Sequence, residues 1–162
     1  MKLVADLRIL LIALWLGAAI FFSFGVAQSA FAVLSARELA GAVVNRTLMI
    51  INYSGIGVGL ILLATSFVSQ RSLSRGRLVL EQIVLLLLTA ACVINQFIIG
   101  ARLRDLRLQI GRPIDELAAN DPLRAAFNDL HVYSVIILLA AMIAALIAFF
   151  LLAARARNIG YR

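Results

Sequence analysis

Four stretches without a charged residue divide this chain: Ile9 to Ala36, Thr47 to Gln70, Gln82 to Ala101 and Leu130 to Ala154. The shortest holds 20 residues, the length a helix needs to cross a hydrocarbon core about 30 Å thick. The pattern predicts four transmembrane helices, with spans near 8–34, 47–69, 79–101 and 131–154. They use most of the 162 residues, so 1–162 reads as a single all-α transmembrane domain. The expected fold is a four-helix bundle with antiparallel neighbours.

Start and stop signals lengthen these helices beyond their apolar cores. Ser35-Ala36-Arg37-Glu38 has the S-x-x-E form of a capping box, which predicts that the second helix begins near Ala36. Gly111 followed by Pro113 predicts a stop after Ile110, because glycine accepts a left-handed cap and proline blocks continuation. Asp121-Pro122 is the opposite signal, an N-cap residue followed by proline at the first helical position. All three extensions lie on the face opposite the termini, where they should build a small helical head.

Composition agrees with a membrane protein: 64% of residues are apolar and 14% charged, and the mean hydropathy is +1.04. The first span follows Lys2 and Arg8 and contains VAQSA, but it is far longer than the roughly 7–15 residues of a signal-peptide core. It reads as a retained helix. The single cysteine, Cys92, excludes an intrachain disulfide and cysteine-based zinc sites. The net charge of +7 comes from basic residues flanking the spans, which points to lipid headgroups and not to nucleic acid. The termini and the SQRSLSRGR loop share one side, with eight basic residues against seven opposite. The arginines of the connection between the third and fourth helices are expected to be partly held in structure. Both termini are therefore placed in the cytoplasm of a multi-pass protein of the cell (inner) membrane.

Two polar stripes stand out near the head. On the third helix Asn95, Arg102, Asp105 and Gln109 recur at helical intervals, and on the fourth so do Asp121, Arg124, Asn128 and His131, with Ser134 one step on. Arg102 and His131 both fall roughly 12 to 14 Å from the hairpin tip at 1.5 Å per residue, so antiparallel packing predicts that they meet. A further cluster, Asn45, Arg46, Asn52 and Tyr53, is expected to hydrogen-bond between helices or to complete the same pocket. Gly55-x-x-x-Gly59 invites close helix packing. Glu81 can pair with Arg77 one turn earlier.

Several segments resemble the transmembrane protein 205-like proteins, small four-helix membrane proteins of unknown function. They are LWLGAAIFFSFGVAQSAFAVL, RELAGAVVNRTL, INQFIIGARLRDLR and DPLRAAFNDLHVYS, the most specific element being Phe127-x-x-Leu130-His131-x-x-Ser134. The resemblance implies the four-helix topology and supplies no reaction. Where that family often has proline this chain has Gln28, which removes the usual cause of a kink in the first helix.

Three functional classes can be weighed. An enzyme is not expected: Ser134 and His131 share a helix, but no carboxylate is placed to orient the imidazole. Haem fits poorly, since the one histidine excludes bis-His ligation within a chain, and no cofactor or metal is expected. A small-solute or ion transporter or channel would have to work as an oligomer, because Asp6 and Glu81 lie near span ends and leave no acid mid-membrane. The reading that fits every feature is a non-catalytic accessory subunit binding a small ligand, a membrane-protein partner or a second copy within the bilayer.

Overall fold

The computed structural model describes residues 2–66 and 75–160. Four long helices carry the fold: α1 Lys2–Val33, α2 Arg37–Ser66, α3 Arg75–Ile110 and α4 Pro122–Gly160. Each is long and apolar enough to cross a membrane. A short 3-10 turn, Ile114–Glu116, lies in the α3–α4 connection, and no strand occurs among the described residues. The four helices form an up-and-down bundle in which each packs on its sequence neighbours, and α1 closes the ring against α4. SQRSLSRGR falls largely within 67–74, outside the described residues.

Heptad-like spacing selects the buried side of each helix, as 3-4 ridge packing requires. On α1 the buried stripe is Arg8, Ile12, Trp15, Ala19 and Phe22; on α4 it is Ser134, Leu138, Ala141, Ala145, Ala148, Leu152 and Arg155. The alanines let α4 sit close to its neighbours, while Leu14, Phe21, Leu60, Leu86, Leu139 and Phe150 stay exposed on the outside. That inversion suits a bilayer, where outer apolar surface meets lipid tails and association relies on close packing. These features identify a multi-pass membrane protein.

Close approach is most evident at α2. A Cβ added at Gly55 would stand 2.6 Å from Cys92 Sγ and 2.8 Å from Trp15 Nε1, and one at Gly59 would meet the Thr89 side chain. Trp15 donates its indole N–H to the Ile51 carbonyl at 3.0 Å. Both glycines are buried.

The ends of the helices differ in how far they follow their local signals. Gly111 adopts φ 63° and its N–H bonds to the Arg107 carbonyl, and Asp121 Oδ1 accepts from the Leu123 N–H at 2.8 Å. At the start of α2 the capping box does not form. The first helical residue is Arg37, so Ala36 and not Ser35 occupies the cap, and Ala40 N–H bonds to the Ala36 carbonyl. One residue of offset puts the Ser35 hydroxyl out of register with the first-turn amide, that of the third helical residue, which it would have to meet. Arg37 and Asp115 approach within 3.6 Å across the head, an exposed pair of small energetic weight.

Two helices contain widened, π-helical turns: Phe22–Val26 in α1 and Ile94–Ile99 in α3. Gln28 lies beyond the first of them in regular helix. A π turn adds a residue to one turn and shifts the phase of everything after it. This matters at the candidate site.

Candidate functional site

Polar residues reach the inner stripe at two levels, the first shared by all four helices and the second by α2, α3 and α4, and these levels bracket the apolar core. The first lies toward the termini. Glu81 is 1% exposed on α3, yet one oxygen is 2.7 Å from Arg8 Nη2 of α1 and the carboxylate takes Arg155 Nη1 of α4 at 2.9 and 3.1 Å. The arginines also donate to the last turns of α2. Arg8 reaches the Leu62 carbonyl at 2.9 Å and that of Thr65 at 3.4 Å; Arg155 reaches Ser66 at 3.4 Å. Those carbonyls belong to the last described turn and a half of α2 and point along the negative direction of its dipole. Two guanidinium groups, one carboxylate and one helix terminus thus join all four helices.

This cluster overturns the expected Glu81–Arg77 pair. Arg77 is exposed, and Glu81 turns inward because it lies in heptad register with Leu85, Leu88 and Cys92. Arg8 and Arg155 hold the same register on their own helices. The signal in the sequence is charged positions that extend an apolar stripe, a pattern that looks the same as headgroup anchors and surface pairs at a span end.

The second level is about 21 Å along α3 from Glu81 at 1.5 Å per residue. Ser134 Oγ donates to Asn95 Oδ1 at 2.7 Å, and Asn95 Nδ2 donates back to the Ser134 carbonyl at 3.3 Å. Asn52 Nδ2 points to Gln96 Oε1 at 3.5 Å, while Asn52 Oδ1 is buried without a hydrogen-bond partner among the described residues. Asn45, Asn52, Asn95, Gln96, Gly100, Arg104 and Ser134, with Leu48, Met49 and Leu103, line a small cavity between α2, α3 and α4. It has room for about one water.

The predicted polar stripes divide here. Asn95, Asn52 and Ser134 are buried, and Asn45 is half-buried beside them. Arg102, Asp105, Asn128 and His131 are exposed and do not assemble into one site. On α3 the cause is the π turn Ile94–Ile99: the inner face passes from Asn95 through Ile99 to Leu103, so Arg102 is rotated outward. On α4 the inner face runs from Ser134 back through half-buried Leu130 and Phe127, and His131, about 100° round from Leu130, is exposed. Arg46 and Tyr53 face outward from Asn45 and Asn52 on α2, and the Tyr53 ring meets Phe97 edge-on at 5.9 Å.

The head also holds arginines in place. Arg107 lies 5.3 Å from the Phe127 ring centroid, and Arg124 Nη1 donates to the Leu117 carbonyl at 2.8 Å. Gln96, Gly100 and Arg104 belong to the cavity although sequence spacing did not select them, because that spacing assumed regular helix.

No curated protein and no solved structure matches the chain. The family model for a domain of unknown function, DUF4149, matches residues 10–112, which covers most of α1, all of α2 and α3, and the Gly111 cap. By that match over more than half its length, this chain belongs to the DUF4149 family.

Proposed function

We propose that the protein is a non-catalytic accessory subunit of a membrane assembly, engaging a protein partner through the outer face of its head. The observation behind this reading is the division of polar groups. Interior ones are largely bonded to one another, whereas Arg102, Asp105, Asn128 and His131 face outward near one boundary of the bilayer. Ionisable groups at that depth tend to have partners. The Ser134 proton is directed to Asn95, not His131, which leaves no activated nucleophile in this pair. Glu81 is paired with both Arg8 and Arg155, so its carboxylate is engaged in holding helices together. The inner membrane is the setting we propose. Exposed Lys2, Arg75, Arg77 and Arg157 support cytoplasmic termini, and the resemblance to the transmembrane protein 205-like proteins supports a wider kinship.

Site-specific photo-crosslinking in native membranes tests the partner reading. A crosslinker at His131 should give one discrete protein adduct that is lost with Arg102→Glu, while one at Leu139 should give lipid adducts only. Equal adducts from both positions, or only self-adducts at His131, would remove the hetero-partner reading. Solute flux in liposomes that disappears with Asn52→Leu would replace it with oligomeric transport.

A further inference from the structure

Asn52 Oδ1 is a buried acceptor without a partner among the described residues, on a residue 2% exposed that lines a cavity whose other polar side chains are amides, a hydroxyl and a guanidinium. Such an acceptor in a low-dielectric interior calls for a donor. The lining contains no carboxylate, which disfavours a metal ion. Space at the bottom suits a group the size of one water, such as a hydroxyl or an ammonium. Above it, Arg104 folds back along α3: its Nη1 would lie 3.5 Å from a Cβ built on Gly100. Gly100 is about one turn, or about 6 Å, from Gln96 along the helix axis. Gln96, which Asn52 meets, and Gly100, beside which Arg104 Nη1 lies, are thus about one helical turn apart, a span that a two- or three-carbon arm covers.

We infer that the α2–α3 groove binds a phosphate carrying a short donor-bearing arm, as in a phosphoethanolamine or phosphoglycerol headgroup. The hydroxyl or ammonium donates to Asn52 Oδ1, and the phosphate oxygens at the rim accept from Arg104. Guanidinium suits this role because it remains charged and offers several donors to a phosphate. Arg104 lies beyond the apolar span of α3, at the depth where headgroups begin. A phosphocholine headgroup has no donor at its end and cannot satisfy Asn52. This site goes beyond the partner reading and does not depend on it.

The test is thermal unfolding and native mass spectrometry of the full chain in non-ionic detergent, with added short-chain phosphatidylglycerol, phosphatidylethanolamine or phosphatidylcholine. Phosphatidylglycerol and phosphatidylethanolamine should raise Tm and be retained as adducts, with affinity about tenfold or more above phosphatidylcholine, the order set by one hydrogen bond involving a charged or buried group. Asn52→Leu should abolish the preference, and Arg104→Gln should weaken binding of all three. Arg77→Gln, exposed at the other end of the same helix, should change neither. Arg104 is itself exposed, so its variant remains informative if Asn52→Leu does not fold. Glycerol phosphate raising Tm as much as the lipids would assign the same site to a soluble phosphate ester. Equal binding of phosphatidylcholine, no ligand effect, or a preference surviving in both site variants would overturn the proposal.

Discussion

Glu81 shows how one side chain can be decisive while contributing little net stability. Desolvating a carboxylate and two arginines is costly, and their attraction approximately returns that cost. Removing only the carboxylate leaves Arg8 and Arg155 facing each other without it. Glu81→Gln should therefore destabilise the bundle by about 3–5 kcal/mol, read as a large fall in Tm in detergent. Combining it with Arg155→Met should cost much less than the sum of the two, because both remove the same interaction. Strict additivity would show that the cluster is not energetically coupled. At the other polar level, Ser134→Ala should cost about 1–2 kcal/mol by orphaning Asn95 Oδ1. His131→Ala should stay within about 0.5 kcal/mol, as exposed substitutions do. A reversed order in chemical unfolding would place His131 inside after all. His131 stands out in the sequence because it is unique, whereas Glu81, a charge near a span end, resembles a residue paired at the surface. Rarity was the weaker guide; register with Leu85, Leu88 and Cys92 was the stronger one.

At the scale of elements, hydropathy placed the four helices, and Gly111 and Asp121-Pro122 placed two of their ends, because those signals act through local backbone geometry. The π turn Ile94–Ile99 was not legible, since nothing in INQFII distinguishes it from regular helix. Its effect was to turn Arg102 away from the bundle and Leu103 into it. Deleting exposed Ile98 should convert the wide turn to regular helix while keeping both flanking faces in register. The same deletion at Leu87, within regular helix, rotates one flank by about 100° relative to the other. The Ile98 deletion should thus retain a folded monomer peak and the Leu87 deletion should not; equal loss would contradict the phase argument. Glycine contacts give a second comparison at this scale. Gly55→Ala should cost about 1–3 kcal/mol by overpacking against Trp15 and Cys92. Gly57→Ala should be neutral or slightly stabilising, because its Cβ would meet nothing within 4 Å, and the helix gains propensity. Matching Tm values for the two would refute close packing at Gly55.

As a whole, the molecule is an apolar bundle fastened at both levels by polar groups, with ionisable side chains left on the outside of its head. Ser134 and Arg155 lie at the two ends of one buried stripe on α4, about 31 Å apart at 1.5 Å per residue, close to the thickness of a hydrocarbon core. A bundle closed in this way has its surface left for recognition, which supports the accessory role we propose over transport through a single copy. The most direct measurement is the intact mass of the protein extracted from its native membranes in mild detergent, taken with and without Arg102→Glu. The accessory account predicts a discrete mass containing a second protein in fixed ratio, which falls to the bare chain in the variant. A homo-oligomer of this chain alone, unchanged by Arg102→Glu, would contradict it.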